Sequence, residues 1–463
     1  MGFFDKIQQM KLSFIRRAGA QERASLSLFA LTVPIVLENL FRIFISSIDI
    51  FMLSGYSQEA VAGVGIVNQY IFFIQLLFNI VCIGTSIVLA QYLGAKRHTE
   101  ASQVIQGSIL LVGALAGGLL ILILVGAGPL LSLYKAEPAV RSYAITYLKI
   151  FGGFGSFFVA FNMLQGTVLR AYGYTRDTMV VTFIANGINV IGNAISLYGP
   201  FGLPILGVTG VAASSVISQI AACGILAWRI RQYPEVRFRL SHWRNIPSSI
   251  FKTIIQIGLP SAGESLSYNV AQIVIMALIT TFGTAAVSSV VYAQTIVRFV
   301  FILPMSIGAG VQIKVGYLVG AKKFEEAYNR LYRYQLIGTV IAMGIITLLQ
   351  FVKKPIITIF THDPAILATT STLLLYSYYI EFGRSINLIT ISALKGAGDV
   401  RFPVGYGIFS MWCIMVLGAY LFGYKAGLGL VAVWLAIGTD ETLRGLVMLG
   451  RWKSKRWMEK RLT

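Results

Sequence analysis

The sequence predicts an all-α polytopic membrane protein with twelve transmembrane helices in two pseudo-symmetric six-helix lobes. Of its 463 residues, 56% are hydrophobic and only 12% are charged, whereas soluble domains average roughly 45–50% and 25%. Uncharged stretches cover residues 101–134, 178–228 and 265–297, and each exceeds the ~20 apolar residues that cross a bilayer as a helix. Such runs exclude a soluble enzyme, a disordered chain and a disulfide scaffold, and they lack the alternation of a membrane β-barrel.

Turns rich in glycine and proline separate the predicted spans, as at residues 126–129 and 199–204. We expect the spans at residues 25–54, 62–93, 103–127, 138–169, 178–199, 206–231, 251–281, 286–316, 335–353, 365–393, 402–424 and 428–450. Pro34 and Pro260 lie inside the first and seventh spans and are expected to kink them.

The net charge is +20, and the distribution of the basic residues predicts how the protein is oriented in the membrane. The two termini and the loops on their side, with the helix ends that flank them, hold 27 Lys and Arg residues, whereas the opposite loops hold five. Loops rich in Lys and Arg stay on the cytoplasmic side, so we expect both termini in the cytoplasm and a multi-pass protein in the plasma membrane. The basic surplus then serves topology and contact with anionic membrane lipids, and it indicates no nucleic-acid partner.

Four short segments repeat in the same order along the chain. Residues 34–38 recur at 260–264, residues 94–96 at 320–322, residues 134–138 at 360–364 and residues 169–173 at 394–398. The first three offsets are identical and the fourth is shorter by one position, so the ordered set indicates a duplication. Because each half holds six spans, both halves enter the membrane from the same side, which predicts parallel lobes with a substrate cavity between them and alternating access.

These patterns predict five regions. They are a basic amphipathic segment on the cytoplasmic leaflet at residues 1–24, an N-lobe at 25–231, a cytoplasmic inter-lobe linker at 232–250, a C-lobe at 251–450 and a basic cytoplasmic tail at 451–463.

Acidic residues within membrane spans are costly, and by default they suggest function. The candidates are Glu38, Asp49, Glu264, Glu381, Asp440 and Glu441. Glu38 precedes Arg42 by four residues, Glu381 precedes Arg384 by three, and Asp440 and Glu441 both precede Arg444. This spacing favours structural ion pairs within one helix, although Glu38 and Glu381 remain candidates for the substrate cavity.

Asp49 and Glu264 have no basic residue within four positions. Each must therefore find a cation, a proton or a distant partner such as Arg298. Asp49 lies fifteen residues after Pro34, near the far end of the first span, and it is the principal functional candidate. Glu264 lies near the cytoplasmic end of its span, where hydration or an ion pair between lobes is an alternative.

Spans five and six carry uncharged polar side chains. These are Asn186, Asn189, Asn193, Ser196, Ser214, Ser215, Ser218 and Gln219, and Asn189 and Asn193 share one helix face. Two readings stay open. The side chains either hydrogen-bond neighbouring helices or supply oxygen ligands for a hard cation beside a carboxylate. Seven aromatic residues are candidates for the cavity wall, with packing between helices or contact with lipid as the alternative: Tyr70, Phe72, Phe73, Phe78, Phe154, Phe157 and Phe158.

The sequence lacks the motifs of ATP-driven transport and of hydrolytic or metal-dependent catalysis. It has no GxxxxGK[ST] loop for ATP, no GxSxG or HExxH motif, and its three histidines fall in predicted loops. Its three cysteines are far apart within apolar runs. The alternative from a different functional class is a membrane-embedded enzyme, which would need a catalytic histidine, a metal site or a nucleophile motif. We therefore expect no enzyme and no cofactor.

The ordered set of motifs resembles the multidrug and toxic compound extrusion (MATE) transporters over nearly the whole chain. It comprises the two repeats, residues 34–55, 60–65 and 92–95, the paired segments 169–173 and 394–400, and Glu381-Phe382-Gly383-Arg384. The chain looks most similar to the prokaryotic DinF-like branch. This resemblance implies a monomeric antiporter in the prokaryotic inner membrane that exports amphipathic, often cationic organic compounds in exchange for H+ or Na+.

The resemblance also implies roles for particular residues. Asp49 stands at the position of that branch's ion-coupling acid, and Asn189, Asn193 and Ser215 map to its Na+ site. That branch commonly has Asp where Asn193 stands, so this chain keeps a single carboxylate there. Another branch uses acids of spans seven and ten, but here Tyr268 and Arg384 fall at or near those positions. A flippase for lipid-linked precursors is the alternative in the same superfamily, and Arg42, Arg298 and Arg384 would suit its pyrophosphate.

Overall fold

The computed structural model describes residues 27–132, 134, 136–236, 246–460 and 462. The predicted segment at 1–24, residues 237–245 of the predicted linker, and Arg461 and Thr463 of the predicted tail lie outside the described residues. The part that is described is all-helical, which confirms the predicted fold class.

Twelve long helices run through the described ranges. They are α1 (Leu28–Ser54), α2 (Gln58–Gly94), α3 (His98–Ser132), α4 (Pro138–Ala171), α5 (Thr175–Tyr198), α6 (Gly207–Gln232), α7 (Ser248–Thr280), α8 (Thr284–Gly320), α9 (Phe324–Phe360), α10 (Pro364–Gly396), α11 (Arg401–Lys425) and α12 (Gly429–Lys453). By length and composition ten of them can cross a membrane, and α10 and α12 are the two outside that group.

The lobes meet where α2 crosses α8. A Cβ atom at Gly94 would lie 2.1 Å from the carbonyl oxygen of Tyr317, and one at Gly320 would lie 2.0 Å from the carbonyl oxygen of Gln91. Tyr317 is the repeat equivalent of Gln91, as Gly320 is of Gly94. The crossing therefore has local twofold symmetry, and only glycine allows the two backbones to approach this closely.

The two flanking contacts between lobes are unequal. In α7, a Cβ at Gly258 would lie 1.7 Å from the carbonyl oxygen of Ile80 in α2. The equivalent position in α1 is Thr32, whose hydroxyl faces Gly310 of α8. Because threonine replaces glycine there, α1 cannot approach α8 as α7 approaches α2. Space remains beside α1 as a result.

The chain after α12 helps to join the lobes at the end that carries Gly94 and Gly320. The Gln91 amide donates to the carbonyl oxygen of Gly396 at 2.9 Å, and its own oxygen accepts from the Leu462 amide at 2.9 Å. Trp457 is fully buried and stacks on Trp452 with ring centroids 4.0 Å apart. Backbone and tail contacts thus hold the two lobes together at this end of the bundle.

Pro34 and Pro260 both lie within continuous helices, α1 and α7. Proline has no amide hydrogen, so Pro34 leaves the carbonyl of Ala30 without its helical donor. The Thr175 hydroxyl at the start of α5 fills that role at 3.3 Å. The predicted kinks at the two prolines stay predictions.

Candidate ion-coupling site and substrate cavities

Asp49 lies where α1 packs against α5. Its Oδ1 accepts a hydrogen bond from Asn193 Nδ2 at 2.9 Å, and the same amide nitrogen lies 3.4 Å from Asn189 Oδ1. Asn189 in turn donates to the Ser215 hydroxyl of α6 at 3.0 Å. The structure thus brings together, across three helices, the four residues that the family resemblance implied as an ion site.

The group has spare oxygen atoms. Asn193 is buried, and its Oδ1 has no hydrogen-bond partner in the described structure. A buried polar atom without a partner is costly, so an ion or proton donor at this oxygen would be stabilised. Tyr147 of α4, which the sequence reasoning missed, contacts Ser215 and lies near the charge of Asp49. It stands just before Leu148–Gly155, where α4 widens into a π-helical stretch, a feature frequent at functional sites.

A second ionic group lies about 16 Å along α1 from Asp49, by the helical rise of 1.5 Å per residue. Glu38 is buried and accepts from Arg42 at 3.2 Å, from Arg170 of α4 at 3.4 Å and from the Thr178 hydroxyl of α5 at 3.1 Å. The Arg42 side chain is 65% exposed, and that of Arg170 is 27% exposed. Because exposed ion pairs contribute little, Arg170 is the partner that matters more for Glu38.

Glu38 lines a polar cavity of about 470 Å³ in the N-lobe. The lining includes Gln75, Asn79, Asn162, Asn186 and Gln219, and Met305 of α8 closes one side. Its aromatic lining residue is Phe151 rather than any of the seven expected from the sequence. Phe78, one of those seven, is fully buried in the core. None of the seven aromatic candidates lines this cavity, and amide side chains of α2, α4, α5 and α6 line it instead.

The C-lobe repeats the Glu38–Arg170 pair. Glu264 of α7 binds Lys395 of α10 with Nζ and Oε2 2.6 Å apart, and both side chains are mostly buried. In the internal repeat Glu264 is the equivalent of Glu38, and Lys395 is the equivalent of Arg170. The distant partner of Glu264 is thus within its own lobe. Arg298, considered as that partner from the sequence, instead lines a C-lobe cavity of about 290 Å³ with Tyr268 and Arg384.

A buried charge network joins α10 to α12. Arg384 binds Glu381 on its own helix and Glu441 of α12, the latter at 3.4 Å. Glu441 also accepts from the Asn387 amide at 2.8 Å. Arg444 binds Asp440 one turn away. Two arginines thus neutralise two of three buried acids, and Glu381 Oε2 has no hydrogen-bond partner in the described residues. Glu381 faces α12 in this network and is fully buried.

Two segments of the chain, residues 34–195 and 260–421, match the family described as MatE. The first segment begins at Pro34 and the second at Pro260, which are equivalent positions of the internal repeat. The chain belongs to the MATE family. MATE proteins are transporters, so this chain is a transporter and not an enzyme.

Similar proteins match nearly the whole length of this MATE transporter. It is 36% identical to the "Uncharacterized transporter YisQ" of Bacillus subtilis, over 94% of this chain and 95% of that protein. It is 24% identical to the "Probable multidrug resistance protein NorM" of Thermotoga maritima, over 94% and 93% of the two chains. An outward-facing MATE transporter of the MOP superfamily shares the fold with a TM-score of 0.85 and 21% identity, over 92% and 95% of the chains.

Proposed function

We propose that this MATE transporter exports amphipathic, often cationic organic compounds in exchange for a cation, with Asp49 as the coupling carboxylate. The observation that carries the proposal is the Asp49–Asn193 hydrogen bond of 2.9 Å beside Asn189 and Ser215. The naming of similar proteins as probable multidrug resistance proteins supports the substrate class. The N-lobe cavity, with its amide lining, supports binding of compounds that carry polar groups, while Glu38 in that lining is already paired with Arg42 and Arg170.

In this proposal the coupling cation is a proton. An asparagine amide has a donor side and an acceptor side, so Asn193 can pair with either charge state of Asp49. Its Nδ2 donates to the ionised carboxylate, and after a flip its Oδ1 accepts from the protonated acid. An aspartate at position 193 would lack the donor. The Na+ alternative keeps support from the unpartnered Asn193 Oδ1, since Na+ binding would use the same oxygens.

The change of charge at Asp49 acts on how α1 packs. Asp49 is on α1, and its hydrogen-bond partner is on α5, the helix on which α1 chiefly packs. Protonation weakens the Asn193–Asp49 hydrogen bond, because a charged acceptor binds a donor more strongly than a neutral one. We propose that α1 then shifts against α5 near Glu38 and reshapes the N-lobe cavity, which releases the bound compound.

The test is export of a cationic dye from liposomes that contain the purified protein. We expect an imposed pH gradient to drive export and an imposed Na+ gradient alone to drive none. Loss of export when the pH gradient is dissipated confirms proton coupling. Export driven by Na+ alone contradicts the proton and makes Asn189, Asn193 and Ser215 the candidate ligands. An export rate that changes with neither the pH gradient nor the Na+ gradient contradicts antiport.

A second candidate, a flippase for lipid-linked precursors, rests on Arg298. Among the described residues this arginine forms no ion pair, and it lines the C-lobe cavity beside Arg384. Guanidinium groups suit the binding of phosphates. A fluorescent lipid-linked pyrophosphate that moves between leaflets of the same liposomes, with no gradient-driven dye export, would favour this candidate.

We also propose that both termini face the cytoplasm of a prokaryotic cell and that the protein acts as a monomer. The charge asymmetry of the loops supports the orientation. In intact cells we expect cysteines introduced at Ala95 and Ala321 to resist a membrane-impermeant maleimide and to react after lysis. A cysteine at Glu137 in an opposite loop is the matched control and should react in intact cells. Labelling with the reverse pattern contradicts the orientation.

A further inference from the structure

A separate cavity lies between α1, α8 and α9, outside both cavities described above. It measures about 690 Å³, and most of its wall is apolar. Its lining includes Phe29 and Val33 of α1 and Ile337 of α9. It also includes three basic residues, Lys314, Arg330 and Arg333. We call it the α1/α8/α9 cavity.

Lys314 is the notable member of this lining. The residue is 95% buried, since its relative exposure is 5%. It forms no hydrogen bond and no ion pair within the described part of the chain, although the charge of Glu326, which Arg330 binds at 2.5 Å, acts on it. Taking an ammonium group out of most of its hydration is costly when no partner binds it directly. The cost is recovered if an anion from outside the chain occupies the cavity.

The internal repeat shows that the fold itself does not need these charges. The N-lobe positions equivalent to Lys314, Arg330 and Arg333 are Val88, Val104 and Gly107, in that order. Val88 and Val104 are buried there. At Gly107 the neighbouring α7 fills the groove, with Ile250 and Phe251 side chains 3.5 Å from a Cβ placed on this glycine. The three basic residues are therefore specific to the C-lobe side.

The depth of the cavity matches that of lipid headgroups. Helix α8 has 37 residues, so it is about 55 Å long, against ~30 Å for the hydrocarbon core of a bilayer. Lys314 lies six residues before its end, or about 9 Å along the axis. With α8 centred on the bilayer, its ammonium group is near the boundary between headgroups and acyl chains, on the side that carries Gly94 and Gly320.

We propose that the α1/α8/α9 cavity binds one anionic phospholipid, with the phosphate against Lys314 and the acyl chains along the apolar walls from α1 and α9. Arg333, which is exposed and without an ion pair among the described residues, binds the remaining polar part of the headgroup. The site is independent of the ion at Asp49, so its failure would leave the proposed transport intact.

The test is native mass spectrometry of the delipidated, full-length protein titrated with phosphatidylglycerol, phosphatidylcholine or inorganic phosphate. We expect one phosphatidylglycerol to bind at least about tenfold more tightly than phosphatidylcholine, as a charge-assisted hydrogen bond predicts. Lys314→Met should remove that preference while the protein stays folded by size-exclusion chromatography. Arg333→Gln should weaken it by about threefold. Lys252→Met, which removes an exposed charge from the same end of the bundle, should leave it unchanged.

Four outcomes overturn the proposal. The first is equal binding of both lipids by the wild type. The second is retention of the preference in both Lys314→Met and Arg333→Gln. The third is tight binding of inorganic phosphate alone, which would make this an anion site without lipid specificity. The double variant Asp5→Asn, Glu22→Gln tests whether acidic side chains of the N-terminal segment occupy the cavity in place of a lipid. If phosphatidylglycerol binds only to that variant, these acids compete for the cavity and the lipid is not its normal occupant.

Discussion

We expect Asp49→Asn to abolish gradient-driven export while the protein still folds and inserts. Asparagine has nearly the same shape as aspartate, and its amide oxygen can still accept from Asn193 Nδ2, which now lies 2.9 Å from Asp49 Oδ1. It cannot gain or lose a proton, and it has no charge to attract Na+. The variant therefore removes the only carboxylate of the site without removing its contact to α5.

Dye export from liposomes under separate pH and Na+ gradients measures the effect. The expected rate for Asp49→Asn is that of protein-free liposomes under either gradient. Glu137→Gln is the matched control, because it removes one carboxylate from an exposed position far from the site. Dye binding by the purified variant should persist, which separates lost coupling from lost structure. Wild-type export by Asp49→Asn would exclude Asp49 as the coupling residue.

The helices of this fold were predictable because a membrane span is one continuous apolar segment. Their ends were less so. The ninth span was expected at residues 335–353, but α9 extends from Phe324 to Phe360. Its first turns carry Glu325, Glu326 and Arg330, whose charges suit the headgroup region or water and not the hydrocarbon core. Hydropathy records only the part of a helix within lipid, so it underestimates helices that project from the membrane.

Partners on the same helix were also predictable, because residues four apart are neighbours. Glu38 does bind Arg42, at 3.2 Å. The more buried partner, Arg170, is on another helix, and periodicity within one helix says nothing about it. One signal was present in the sequence: an acid and a base occur at matched positions of both repeats. Because this acid–base combination occurs in both repeats, it indicates that the two positions face each other, which gives the pairs Glu38–Arg170 and Glu264–Lys395.

The aromatic lining was not predictable, since a hydrophobic side chain in a membrane protein has three destinations: lipid, core and cavity. Phe78 is fully buried and Phe73 is 52% exposed, although both belong to the same helix, α2. Composition cannot separate these cases, because lipid and protein core are both apolar. Amide side chains carry more information, and Asn162 and Asn186 do line the N-lobe cavity.

The second large effect is expected at Lys395. Lys395→Met leaves Glu264 buried without its basic partner, and we expect this to destabilise the protein by about 3–5 kcal/mol, the usual cost of breaking one side of a buried ion pair. In the double variant Glu264→Gln, Lys395→Met no charge is left behind, so most of that loss should be recovered. Thermal unfolding of the purified protein in detergent measures both.

Arg42→Met is the matched control for this comparison. It also removes a base from a glutamate, but the Arg42 side chain is 65% exposed, and Glu38 keeps Arg170 and Thr178. We expect it to cost no more than about 1 kcal/mol, as for surface ion pairs. If Lys395→Met is no more harmful than Arg42→Met, the Glu264–Lys395 pair does not hold α7 to α10. If the double variant is as unstable as Lys395→Met alone, the loss comes from packing of the lysine stem, because the unpaired charge is gone.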